Sequence, residues 1–214
     1  MSIEDIDGSN YFHHRSSGWF AMGFCIYVEC GESYSDAELM KHLGICRYST
    51  LPPEDSPDQP GDNDLFVQIA SDGRWVHISD DDYYTLYNEK YASGNLRDRI
   101  VQLARSHNIF VRVLADADDS FEFEYYEGSA LQRCYEFIDP TWKPEDCVAI
   151  DFGETLPGEE ELSEEVNMFE KVRRIEDALG IETDVEKLSI RTYTKPYPKP
   201  SFLDRLLFRI GPKH

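Results

Sequence analysis

The chain has 214 residues, of which 41% are hydrophobic and 13% aromatic, a composition typical of a globular protein. Its 42 acidic and 21 basic residues give a formal charge of −21. Such a charge disfavours nucleic acid and anionic lipid as partners and favours basic proteins. The alternative is that the negative charge only keeps the protein soluble.

The charge is distributed unevenly along the chain. Residues 191–214 carry six Lys or Arg and a single acid, Asp204. We therefore predict one acidic domain over residues 1–190 and a basic extension over residues 191–214 that ends in a short amphipathic helix, "SFLDRLLFRIG".

The first third of the chain predicts a strand, a helix and a loop. Residues 19–30, "WFAMGFCIYVEC", form a β-rich apolar run and predict a buried strand. Residues 35–44 predict a helix, because Ser35 and Glu38 have the spacing of a capping box and Gly44 can end it. Residues 50–64 hold four prolines and five acids, and predict an exposed loop.

Two hairpins are predicted further along. In residues 65–79, "LFVQIASDGRWVHIS", two alternating segments flank Asp72-Gly73, a pair preferred in type I′ turns. Residues 120–138 predict a second hairpin that turns near Gly128-Ser129.

The remaining predicted elements complete the fold class. Helices are expected after Ser79, over 95–107 and over 160–179, and strands over 109–115 and 188–194, whereas residues 139–160 read as irregular. This order of elements predicts an α+β fold: a mostly antiparallel sheet with two hairpins, helices packed on one face, and the short C-terminal helix.

Acidic residues gather around the two hairpins and give the candidate partner-binding surface. One aspartate group follows the first hairpin, another precedes the second, and "FEFEYY" alternates so that its glutamates are expected on a solvent face with an exposed tyrosine. If the loops lie at one end of the sheet, the acids form either a docking surface or a self-repelling rim. The candidate contacts are Asp80, Asp81, Asp82, Asp116, Asp118, Asp119, Glu122, Glu124 and Tyr126.

The same acidic stretch does not predict a calcium site. Counting an EF-hand loop from Asp116 sets Phe121 at the sixth position, where the sharp turn needs glycine. We expect no metal, no cofactor and no catalytic residue, because no motif for hydrolase, nucleotide-binding or zinc chemistry is present. A dyad of His77 with Cys25 or Cys30 stays open.

The predicted location is the cytoplasm. The five cysteines form no CxxC pair and read as reduced thiols. The first twelve residues are acidic and lack an apolar run, and no stretch is long and apolar enough for a membrane span.

Two stretches, "RWVHISDDDYYTLY" and "DDSFEFEYYEGSALQRCYEF", resemble segments of small uncharacterised bacterial proteins, some of them immunity-type proteins that neutralise toxins. The shared pattern is an aromatic strand, a glycine turn and a strand with Arg and Tyr, here Gly128, Arg133 and Tyr135. The resemblance covers about a third of the chain. It implies a cytoplasmic bacterial protein that acts by binding.

These observations favour a non-enzymatic acidic protein that binds a basic protein, such as a toxin. The first alternative is an enzyme or small-ligand binder with a pocket under the aromatic sheet, near Trp75, His77, Tyr83 and Tyr84. The second is a DNA mimic, which would need acids spaced like phosphates along one elongated face.

Overall fold

The computed structural model describes residues 21–45, 48–50, 64–80, 86, 95–115, 120–138, 148–159 and 168–196. Within these ranges the strands form a single antiparallel sheet, and in chain order they are β1 Ala21–Glu29, β2 Ser49–Thr50, β3 Asp64–Ser71, β4 Trp75–Asp80, β5 Ile109–Ala115, β6 Phe121–Glu127, β7 Ala130–Phe137, β8 Val148–Gly153 and β9 Ser189–Pro196. The spatial order is β2-β9-β3-β4-β1-β5-β6-β7-β8. The α+β class is therefore confirmed.

Three α-helices are described: α1 Asp36–Leu43, α2 Asn95–Leu103 and α3 Met168–Leu179. The predicted cap of α1 is present. The Ser35 side chain accepts from the Glu38 N–H, and the Ser35 N–H donates to Glu38 Oε2 at 2.9 Å. Gly44 ends the helix in the left-handed region at φ 73°.

The β3–β4 pair and the β6–β7 pair both turn tightly, but they use different chemistry. Gly128 and Ser129 both have positive φ, 58° and 72°, as a type I′ turn requires. In the β3–β4 turn only Gly73 has positive φ, so the predicted type I′ turn at Asp72-Gly73 is wrong. The Asp72 carboxylate instead accepts backbone N–H groups from Arg74 and Trp75 at 2.8 and 2.6 Å.

The sheet buries side chains on both of its faces, and the expectation of helices on one face is not confirmed. Alternate residues of β1 separate the two layers, because Ile26 packs with the apolar residues of α1 and α2 whereas Tyr27 packs with those of α3. A strand covered on both sides loses the apolar–polar alternation that marks a solvent face. The first layer centres on Ile26, Leu39, Leu43, Leu96 and Ile100, and the second on Tyr27, Phe110, Phe123, Val172 and Ile175.

One strand was not predicted, and the predicted last strand crosses the boundary that the sequence suggested for the basic extension. Residues 148–153, expected to be irregular, form β8 and pair with β7. β9 pairs with β3 from Ser189 to Pro196, so residues 191–196 belong to the sheet and not to a separate extension. The remainder of that extension, with its predicted helix, lies outside the described residues, as do residues 51–63 and most of the helix predicted after Ser79.

Candidate functional site

The backbone brings the ends of β4 and β5 to one end of the sheet. Asp80, the last residue of β4, pairs with Phe24, and Ala115, the last residue of β5, pairs with Ala21 on the same strand β1. The loops that follow therefore leave from neighbouring positions. The convergence of their acids remains a prediction, because the other five candidate aspartates, Asp81, Asp82, Asp116, Asp118 and Asp119, lie outside the described residues.

The other three candidate contacts are buried, so their predicted exposure is wrong. Glu122 is 1% exposed, Glu124 3% and Tyr126 0%. They occupy the face of β6 that points toward α1 and α2. The Tyr126 hydroxyl donates to Glu124 Oε2 at 2.8 Å. The alternation "FEFEYY" is present as predicted, but both sides of β6 are covered.

Arg97 of α2 supplies positive charge beside these buried oxygens. Burial lowers the pKa of Arg97, but the Glu124 carboxylate and a hydrogen bond with Tyr126 outweigh it, and the net pKa is raised. Arg97 therefore stays charged and helps to compensate the cost of burying Glu124. This role is structural rather than a docking role.

On the opposite face, a buried polar cluster ties α3 to the sheet. We call Tyr27, Arg112 and Glu176 the Arg112 cluster. Arg112 Nε donates to Glu176 Oε1 at 2.6 Å and to the Tyr27 hydroxyl oxygen at 2.9 Å, and that hydroxyl donates to Glu176 Oε1 at 2.5 Å. Arg112 Nη1 also donates to the Gly23 carbonyl at 2.9 Å, so the guanidinium links two strands and a helix.

The electrostatics of the Arg112 cluster fix the protonation states of Tyr27 and Arg112. Burial raises the pKa of Tyr27 well above 10.0, with the neighbouring Cys25 adding to the rise. The pKa of Arg112 is raised as well, because its interactions with Tyr27, Glu176 and Cys25 outweigh the effect of burial. At neutral pH the Tyr27 hydroxyl therefore stays protonated and Arg112 stays charged.

His77 lies beside the Arg112 cluster, with its ring 4.8 Å from that of Tyr27 in an edge-on arrangement. Its Nε2 is 3.6 Å from Asp72 Oδ2, which is beyond hydrogen-bond distance, and has no hydrogen-bond partner among the described residues. Burial lowers the pKa of His77, and the Asp72 carboxylate offsets this only in part. His77 is thus a neutral imidazole at neutral pH.

The dyad between a cysteine and His77 is not formed. Cys30 packs in the layer of α1 and α2, on the face opposite His77. Cys25 shares the face of His77, but burial raises the pKa of its thiol to about 11, and its Sγ contacts the Ile26 carbonyl oxygen at 4.0 Å. A protonated, buried thiol is a poor nucleophile.

A second buried ion cluster holds β8 and the segment after it. Arg133, 2% exposed, donates from Nη2 to Glu159 Oε1 at 2.7 Å and from Nη1 to Asp151 Oδ1 at 2.5 Å. Its guanidinium lies over the Tyr135 ring at 5.4 Å. Arg133 and Tyr135 therefore act in the structure as a packed anchor for the sheet edge.

Asp72, which was not a predicted site residue, connects the β3–β4 turn to the segment before β9. Its Oδ2 accepts the Glu182 N–H at 3.1 Å, in addition to the two N–H groups of the turn. Burial raises the pKa of Asp72, but these three donors outweigh it and the net pKa is lowered. The contact spans 110 residues, so no local sequence pattern could have indicated it.

An open groove lies between α1 and α2, with a volume of about 680 Å³ and a mixed polar lining that includes Lys41, His42, Asp98 and Arg99. It is not the predicted pocket under the aromatic sheet. Of the residues predicted to line that pocket, Trp75 packs with apolar side chains of α3, whereas Tyr83 and Tyr84 lie outside the described residues.

The remaining features of the molecule concern metal binding, membrane-spanning helices and similarity to known proteins. Within the ranges described, no group of three or more His, Cys, Asp or Glu could hold a metal ion, and no helix is long and apolar enough to cross a membrane. No protein-family model, curated protein or solved structure matches the chain.

Proposed function

We propose that this protein acts by binding a basic protein through its acidic surface, in the manner of an immunity-type protein that blocks a cationic toxin. The observation that carries the proposal is the excess of carboxylates. If every Lys and Arg in the chain paired with one acid, twenty-one of the 42 acids would still have no cation. An excess of this size attracts basic partners and speeds their encounter.

The internal pairing of cations supports the proposal. Among the described residues, Arg74, Arg112, Arg133, Arg174, Lys187 and Arg191 each contact an acid of the same chain. Cations committed in this way are poorly placed to neutralise the remaining exposed acids. The potential felt by an approaching partner is therefore negative.

Exposed acids occur at several positions of the described surface. They include Glu127, Glu154, Asp177, Asp184 and Glu186. The proposed contact surface is carried by residues of this kind and not by Glu122, Glu124 and Tyr126, whose burial prevents contact with a partner.

A binding titration tests the proposal. Purified protein would be titrated by calorimetry with a panel of cationic nucleases, and with an acidic protein of similar size as control, at about 0.05 and 0.5 M salt. We expect binding to at least one nuclease, inhibition of its activity, and weaker affinity at high salt. Absence of binding to every basic protein at low salt would refute the proposal.

A small-ligand site is the second candidate, and the groove between α1 and α2 is the observation that favours it. It has a volume of about 680 Å³, and Lys41, together with the Arg99 N–H groups that do not bond the Leu43 carbonyl, would contact the anionic group of a ligand. A thermal-shift screen of anionic metabolites tests it. A stabilisation that disappears in the Arg99→Gln variant is the expected result, and a screen without any shift argues against it.

A further inference from the structure

One half of the outer edge of β9 has no neighbouring strand among the described residues. β9 pairs with β3 along its whole length, from Ser189 to Pro196. On its other side, β2 reaches only Tyr193 and Thr194. Residues 189–192 therefore have a partner strand on one side only.

The open edge also carries an exposed apolar side chain. Ile190 is 47% exposed, and among the described residues it is the large hydrophobic side chain that lies on the surface. It lies opposite Ala70, which in turn pairs with His77, so it belongs to the α3 face of the sheet. An apolar side chain beside a free strand edge is the arrangement that binds an extended segment by strand addition.

The residues just before β9 give this edge a negative rim. Asp184 and Glu186 are exposed, and Glu182 is half-buried and held by Asp72. The neighbouring cation, Lys187, is already paired with Glu182 at 2.9 Å and with Asp184 at 3.5 Å. Three carboxylates against one cation leave the rim acidic.

We propose that the edge at Ser189–Thr192 is a docking surface for an extended, basic segment of a partner protein, which adds as a strand beside β9. This inference rests on the proposed function and specifies where the basic partner binds. Ile190 packs against an apolar side chain of the segment, and Asp184 and Glu186 attract its flanking cations. The Ser189 carbonyl now accepts from Arg191 Nη1 at 3.2 Å, and a backbone N–H of the segment can take that place.

A second copy of this chain fits the edge less well. Each copy carries a formal charge of −21, and like charges of this size oppose the association of two copies. The charge of this edge therefore favours a cationic segment.

The test is an NMR titration of the isotope-labelled full chain with a synthetic peptide of alternating Lys and Val, about six residues long. We expect chemical-shift changes centred on residues 189–192. A peptide of the same sequence with alternate amides methylated keeps its charge but cannot add as a strand, and we expect it to bind several-fold more weakly.

Matched variants separate the local rim from the overall charge. Asp184→Asn with Glu186→Gln should weaken peptide binding several-fold, whereas Glu127→Gln with Glu154→Gln removes the same charge elsewhere and should have little effect. Ile190→Ser should also weaken binding, with circular dichroism confirming that each variant is folded.

The outcomes distinguish this inference from the proposed function. Shifts located elsewhere, equal loss in both charge variants, or self-association that occupies the edge would overturn the docking surface while leaving basic-protein binding intact. Failure of every basic protein and of the peptide to bind would overturn both.

Discussion

Arg112 of β5 and Glu176 of α3 form a buried salt bridge, with Nε and Oε1 2.6 Å apart and with side-chain exposures of 20% and 6%. This salt bridge fixes the helix to the sheet. The Tyr27 hydroxyl supports it by donating to the same carboxylate oxygen. Removing one partner of such a pair leaves the other charge without compensation inside the protein, which destabilises the folded state.

Removal of one partner should therefore be costly. We expect Glu176→Ala to lower the free energy of unfolding by about 3–5 kcal/mol, because Arg112 would remain buried without a counter-charge. Urea denaturation followed by circular dichroism measures this. In the control Glu170→Ala, the exposed pair with Arg174 is lost, at a cost of at most about 0.5 kcal/mol. Similar losses in both variants would contradict the role assigned to Glu176.

Gly153 and Gly73 form a natural pair for testing close backbone packing. Their φ angles are 89° and 91°, so alanine is equally strained at both. A Cβ on Gly153 would lie 1.9 Å from the Gln132 carbonyl oxygen, whereas one on Gly73 has no atom within 4 Å. We expect Gly73→Ala to cost about 1 kcal/mol and Gly153→Ala at least about 2 kcal/mol more in thermal denaturation. Equal costs would show that β8 moves freely away from β7.

The thiol of Cys25 should resist alkylation in the folded protein. Its pKa of about 11 leaves little thiolate at pH 8, and it is 4% exposed. Treatment with iodoacetamide followed by peptide mass spectrometry should show Cys25 unmodified in buffer and fully modified in denaturant. Fast labelling of Cys25 under native conditions would count against the burial described for this face.

His77 should make stability depend on pH. Its pKa is lowered from 6.5 by burial, so as the pH falls below 6.5 the unfolded chain takes up a proton that the folded chain does not. The free energy of unfolding should therefore decrease as the pH falls below 6.5, until the pKa of the folded state is passed. Asp72, Glu182 and Arg112 are the charged groups that act on His77 in this range.

The comparison of one variant with the unaltered protein isolates this effect. His77→Phe, compared with the unaltered protein, should remove the part of the pH dependence that begins at 6.5. Chemical denaturation across a pH series provides the measurement. An unchanged pH profile in His77→Phe would mean that another group is responsible.

Much of the fold could be predicted from local signals. The capping box of Ser35 and Glu38, the glycine at 44 and the alternation around residues 72 and 128 all act over a few residues, and most of the elements that they indicated are present. The burial of both faces of β6 could not be predicted in the same way. Whether Glu124 faces water or α2 depends on a helix that approaches from far along the chain.

The candidate site shows the same division. The acidic excess is a property of composition and was visible at once. The contacts that position polar groups join distant residues, as in Arg112–Glu176 and Asp72–Glu182, and each is formed by tertiary packing alone. The turn between β3 and β4 contains Asp72 and Gly73, but only Gly73 has positive φ, and the Asp72 carboxylate accepts the N–H groups of Arg74 and Trp75.

The two-sided burial of β1 has a consequence for how the protein unfolds. Ile26 and Tyr27 are adjacent in the chain, yet each belongs to a different apolar layer. If either layer unfolds, β1 loses the packing on one of its faces, and the other layer packs against the same strand. The described part of the molecule should therefore melt as one cooperative unit, with the same midpoint for probes placed on either side of the sheet.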